Sequence, residues 1–323
     1  MYKFLIAKLL LFVVVLSTAF LGNSCTCSDK PDSNFNGVQI GVISYSWRSM
    51  PEGEAEDILR YCLQSGISSI ELMGDVAERF AGIPPSPPRP ARDIEMTEEE
   101  QAAHDKKVQE AKEKQRDWRL SVSMDKFVEL KKMYNDSGVN IPIVKFAPAN
   151  WSDEEIDYAF KAAKAIGAGG ITNEIGHEAC KRLGKFAEKH NMYAIYHNHA
   201  QPGESGFNFE EFLDYSPNNM LNLDVGHYFG ATGKHPNEIM EKLHDRIFSI
   251  HLKDKTGKDS EPANTNMSWG TGETPLGDIL KLIQENKWPI YCDIELEYPV
   301  PDDSDAVKET TKCVEYCKEI LEN

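Results

Sequence analysis

Four stretches of the chain end apolar runs on side chains that bind metals or move protons: "AIYHNH" (194–199), "NLDVGH" (222–227), "FSIHLKD" (248–254) and "YCDIELEY" (291–298). Imidazole titrates near neutral pH and is a common metal ligand, and carboxylates serve as bases or as hard ligands. The residues concerned are His197 and His199, Asp224 and His227, His251 and Lys253, and Glu295 or Glu297, with Glu174 closing a further run at "GGITNE". Gathering such groups is expensive unless something pairs with them. A divalent cation would relieve the mutual repulsion of Glu174, Asp224 and Glu295. A mixed imidazole and carboxylate shell suits Mn²⁺, Zn²⁺ or Co²⁺ better than Ca²⁺.

Groups this far apart in sequence meet only if the fold gathers strand ends. Runs of strand length occur at 38–45, 68–73, 141–147, 169–174, 193–198, 221–225, 247–252 and 290–296, and segments with helical period lie between them. One example is "SDEEIDYAFKAAKAIGA" (152–168), with Ser152 placed as N-cap and acids in the first turn. Strands alternating with helices imply right-handed βαβ units and a parallel sheet. Eight such units predict an α/β fold, a single (β/α)8 TIM barrel, although counting alone leaves an open doubly wound sheet as the alternative. In a barrel the C-terminal strand ends face one mouth, where the active sites of this architecture lie. The strand ends Glu71 and Lys145 join the residues above there.

"LDVGHYFGATG", "RIFSIHLKD" and "YCDIELEY", together with "YHNH", resemble the xylose isomerase-like TIM-barrel superfamily of sugar isomerases and epimerases, the inosose dehydratase-like branch in particular. The resemblance runs from about Val38 to the C-terminus. It implies one metal held by a Glu, an Asp, a His and a second Glu, which places Asp224, His251 and Glu295 as ligands. Ketose epimerases of the superfamily have a Glu on the fifth strand, where this chain has His197. The inosose dehydratase-like branch instead has a Glu near the end of the fourth, so Glu174 is the expected fourth ligand and His197 its substitute. The metal is expected to be one divalent ion, Mn²⁺, Zn²⁺, Co²⁺ or Mg²⁺.

The chemistry this implies is proton transfer beside a carbonyl, through an enediolate, on a sugar or keto-sugar. His197, His199, His227, Lys253 and Glu297 are the expected catalytic residues around the metal. Isomerisation and epimerisation share this intermediate with dehydration of a keto-sugar or inosose, so a lyase using the same site is the alternative. A non-catalytic sugar-binding lipoprotein is the rival from another class. Tyr45, Trp47 and Trp269 are placed near the mouth, where they could stack on a sugar face.

The rest of the chain bounds where it works and with what. "MYKFLIAKLLLFVVVLSTAFLGNSC" has a basic start (Lys3, Lys8) and an apolar run shorter than the ~20 residues of a membrane helix. It reads as a signal peptide (1–24) before a lipidation cysteine, Cys25, with 25–36 as a tether and 37–323 as the catalytic domain. The expectation is an exported protein of the bacterial envelope that touches a membrane only through its N-terminal lipid. Removing the two leader lysines takes the net charge from −17 to −19, which repels a phosphate backbone and argues against nucleic-acid partners and an apurinic endonuclease-like activity. The seven cysteines show no zinc spacing and no disulfide framework. A Pro-rich then charged stretch (82–120) interrupts the rhythm after the second strand, an insertion read as a lid or a homo-oligomer contact.

Overall fold

The computed structural model describes residues 30–88, 90 and 96–323. The signal peptide and Cys25 lie outside these. Among the described residues no helix is long and apolar enough to cross a membrane.

Eight parallel strands close into a barrel: β1 (Val38–Ile43), β2 (Ser69–Met73), β3 (Asn140–Lys145), β4 (Gly170–Glu174), β5 (Tyr193–His197), β6 (Asn219–Asp224), β7 (Ile247–Leu252) and β8 (Tyr291–Ile294). Each pairs with its successor, and β8 pairs with β1 to complete the ring. The eight apolar runs of the sequence are these eight strands. A two-residue strand, Asn34–Phe35, adds an antiparallel edge to β1.

Local signals set the helices around the ring. The Ser152 side chain accepts from the Glu155 amide and Glu155 returns the bond, a reciprocal cap on the helix Asp153–Ile166. That helix stops at Gly167, whose φ of 90° is the left-handed conformation glycine adopts without strain. Along the strands one face packs Val42, Leu72, Val144, Tyr196, Leu223 and Ile250 beneath the helices. The other face looks into the lumen and is polar. Thr172 Oγ1 donates to Glu71 Oε1 at 2.6 Å and Asn222 Nδ2 to Glu71 Oε2 at 2.8 Å, bonds between strands that are not neighbours and so cross the barrel interior.

That interior also sets a backbone and a side-chain requirement on the neighbouring strands β1 and β8. Gly41 of β1 lies against the Asp293 carboxyl of β8, where a methyl group would overlap Oδ1. Asp293 is fully buried, and burial, followed by the charge of Glu71, pushes its carboxyl up to about 8.

The insertion is dominated by the helix Glu98–Ser121, capped by Thr97 and buried only at Ala111. It is tied down at its C-terminal end. Arg119 donates to Glu78 Oε1 at 2.7 Å and to Glu155 Oε1 at 3.1 Å, with its guanidinium 3.9 Å from the Trp151 ring centroid. Cys62, Cys180, Cys292, Cys313 and Cys317 are free and buried.

Candidate active site

Four strand ends converge on one point. Asp224 ends β6 and caps the following helix, its Oδ1 accepting from the His227 amide at 2.7 Å, which leaves Oδ2 turned to the mouth. His197 ends β5 with Nε2 3.4 Å from Asp224 Oδ2 and 3.9 Å from Glu295 Oε2. His251 on β7 holds Nδ1 2.8 Å from Glu295 Oε2 and 4.0 Å from Asp224 Oδ2. One donor atom from each of His197, Asp224, His251 and Glu295 lies within 4.8 Å of every other, and all four residues are buried.

Glu174, the expected fourth ligand, is outside this group of four, which includes its expected substitute His197, and forms a second group of potential donors with His197 and His199. The reason is the reach of the two side chains. Glu174 and His197 are register partners on β4 and β5. Glu174 Oε1 is drawn to Lys145 Nζ at 3.0 Å, and Oε2 lies 3.1 Å from His197 Nδ1. The carboxylate therefore sits behind the imidazole and fixes Nδ1 as its protonated nitrogen, so that Nε2 presents a lone pair to the centre. His251 is backed in the same way, with Glu71 Oε2 2.7 Å from Nε2. Glu71 was legible only as a charged strand end. Its role needs the closed barrel, which carries a β2 side chain across the lumen to β7.

The fit to a metal ion rests on what these atoms leave undone. His197 Nε2 and Asp224 Oδ2 are buried without a hydrogen-bond partner. Lys253 Nζ is 2.9 Å from Asp224 Oδ2 but off the direction a hydrogen bond requires, so it balances charge without satisfying that oxygen. Two imidazole nitrogens and two carboxylate oxygens suit a divalent transition ion or Mg²⁺, and each imidazole has a carboxylate orienting it.

Electrostatics hold the set together. Burial opposes charge on His251, yet Glu295 and Glu71 outweigh it and hold the imidazole up at about 10. Burial likewise opposes charge on Asp224 and Glu295, and the Lys253 ammonium keeps both carboxyls well below the usual range. Lys253 Nζ also donates to Glu297 Oε2 at 2.6 Å and stands 3.0 Å from His227 Nε2. Glu297 is brought down to about 2, against burial, by its contact with His227 and the charge of Lys253. His227 Nε2 is 3.5 Å from Glu297 Oε2, so Lys253, Glu297 and His227 form one linked unit beside the four donors. His199 sits at the rim, half exposed, with Nδ1 3.8 Å from Glu174 Oε2, and burial then His197 lower its pKa.

The remaining residue of "YHNH" is a strut. Asn198 accepts from the Asp224 amide at 3.0 Å and donates to the Asp224 carbonyl at 3.3 Å, locking the end of β6 to β5. Trp47, expected at the mouth, is a core residue 2% exposed, its Nε1 donating to Thr310 Oγ1 at 3.1 Å. Trp269 packs edge-on against Tyr316, and Tyr45 is exposed. A cleft of about 610 Å³ opens between Tyr45, Trp151 and Lys145.

The model of the xylose isomerase-like TIM barrel family matches residues 109–317. The chain belongs to that family. Inosose dehydratase from Clostridium botulinum is 27% identical to it over 154 residues, 43% of this chain and 51% of that protein. The chain thus spans about half the length of the curated relatives it matches. Two crystal structures share the family barrel. A sugar phosphate isomerase/epimerase from Parabacteroides distasonis is 17% identical with a TM-score of 0.56, over 87% of this chain and 93% of that one. The probable 3-DHS dehydratase of petrobactin synthesis from Bacillus anthracis is 14% identical with a TM-score of 0.58, over 88% and 99%.

Proposed function

We propose that the chain is an enzyme that uses one divalent metal ion to move a proton beside a carbonyl of a sugar or keto-sugar, isomerising or epimerising it. The observation that carries this reading is the pair of unpartnered atoms, His197 Nε2 and Asp224 Oδ2, aimed at the point where Glu295 and His251 also converge. Held there, a divalent cation supplies Lewis acidity that lowers the pKa of the C–H next to the carbonyl.

The chain's own groups do the proton work. Glu297, ionised and partly open to the mouth, is placed to take a proton, and His227 at 3.5 Å relays it. Lys253 keeps the carboxylates charged and donates toward negative charge that develops on substrate oxygen. His199, at the rim, handles a hydroxyl proton on the other side.

The similarity to inosose dehydratase supports a second reading, in which the same proton abstraction ends in loss of a β-hydroxyl as water. Incubation in D₂O with aldoses, ketoses and inososes tests both. Deuterium beside the carbonyl without loss of mass supports isomerase or epimerase chemistry, and an unsaturated product supports the dehydratase. Absence of exchange into every sugar, from protein shown to hold metal, overturns the enzymatic reading in favour of a binding protein.

The sequence further supports export and lipid attachment at Cys25. Labelling of wild-type but not Cys25→Ala protein by a palmitate analogue tests that.

A further inference from the structure

The cleft lined by Lys145, the partner of Glu174, contains one cation that the rest of the site does not use. Its charged lining residues are otherwise matched. Glu52 pairs with Arg60, Asp75 with Arg79, Glu78 with Arg119, and Lys145 with Glu174. Arg48 has no carboxylate within ion-pair distance among the described residues.

Its guanidinium is nevertheless held in place. Nη1 donates to the Leu296 carbonyl at 2.6 Å and to the Tyr45 carbonyl at 3.2 Å, and the group lies 4.5 Å from the Tyr45 ring centroid. These contacts use one nitrogen and one face. The opposite edge, Nε and Nη2, makes no hydrogen bond among the described residues. Two parallel N–H donors on a fixed planar group match the two oxygens of a carboxylate. Position ties that edge to the chemistry, because Leu296 lies between Glu295 and Glu297, and Lys145 of the same cleft contacts the carboxylate that backs His197.

Building on the proposed function, we infer that the substrate is an acidic sugar, with its carbonyl at the metal and a carboxylate at its far end on the Nε–Nη2 edge of Arg48. A monoanion fits this place better than a phosphate dianion. A single edge offers two donors, and the other cations of the walls, Arg79, Arg119 and Lys145, are already paired with carboxylates.

The test is calorimetric titration of the Mn²⁺-loaded protein with D-glucuronate, D-glucose and D-glucose 6-phosphate. D-Glucuronate should bind about ten- to a hundred-fold tighter than D-glucose, as a charge-assisted bidentate contact provides. Arg48→Met should bring that ratio to about one, and Arg48→Lys should keep part of it, with unchanged circular dichroism showing both fold. A ratio near one in the wild type, a preference for the 6-phosphate, or a preference that survives Arg48→Met overturns the inference. Sugar binding that is lost in Asp224→Ala sustains the proposed function even when the ratio is one. Binding of none of the three sugars by metal-loaded protein overturns both.

Discussion

Glu174 stands behind His197, its Oε2 3.1 Å from Nδ1, on the side of the ring away from Asp224. A carboxylate in that place decides which imidazole nitrogen carries the proton, and so which one is free to bind a metal.

From this follows a graded effect on metal content. His197→Gln and Asp224→Ala should abolish stoichiometric uptake of Mn²⁺ or Zn²⁺, whereas Glu174→Gln should weaken it by about 10- to 100-fold, the usual cost of losing an orienting partner. Elemental analysis after dialysis against graded metal concentrations measures the order. Undiminished metal in Asp224→Ala removes the site altogether.

Glu71 should matter as much to folding as to metal. It is fully buried and bonded to Thr172, Asn222 and His251. Glu71→Leu leaves the His251 imidazolium without one of its two counter-charges, a loss of about 3–5 kcal/mol for a broken buried pair. Glu71→Gln, which keeps the shape, should cost less. Urea unfolding of the metal-free proteins gives both values, and equal stability of wild type and Glu71→Leu would show that the pair is not formed.

Gly41→Ala should destabilise the barrel through overlap with the Asp293 carboxyl, by about 1–3 kcal/mol as overpacking does. Removing the obstacle in Gly41→Ala/Asp293→Ala should recover part of that loss relative to the sum of the two single changes. A double-mutant cycle by thermal unfolding reads the coupling, and strict additivity would mean that the two groups do not meet.

Arg119 is the anchor of the insertion helix. Arg119→Ala strands Glu78 and Glu155, both buried, and should cost about 3–5 kcal/mol. It should also free the stretch before residue 121 for limited proteolysis while the barrel stays intact. Identical cleavage patterns in wild type and variant would assign the hold on this helix to other contacts.

Acid sensitivity has a source outside the site. Burial opposes charge on Asp157, but Lys161, Lys189 and His190 hold its carboxyl well below the usual range. A depressed folded-state pKa stabilises above the unfolded value of roughly 3.9, and the contribution is lost as pH falls below that value. Because the lysines are exposed, the effect should be under about 1 kcal/mol. Asp157→Asn should lower the neutral plateau by that amount and flatten the acid limb between about pH 5 and 2, so that the two stability profiles, measured by urea unfolding, converge at the acid end.

The sequence by itself determined the barrel and the places where its chemistry would lie. Apolar runs of strand length alternating with capped helical segments admit few parallel architectures, and a polar residue at the end of such a run must point to the common mouth. Asp224, His251 and Glu295 were therefore legible as converging groups. Tertiary structure decided which neighbour lies among the four buried groups, since Glu174 and His197 occupy paired positions on adjacent strands and either could reach inward. Glu174 is held between Lys145 and His197 Nδ1, and His197 Nε2 faces the centre. Glu71 shows the same limit. Its partner His251 is 180 residues away, and a contact across the lumen exists only once the eighth strand has paired with the first. Trp47 read as a mouth aromatic because a strand-end position gives direction along the barrel axis but not inward or outward. Packing against the helix Ala306–Glu322 settled that, burying the ring and pairing its nitrogen with Thr310.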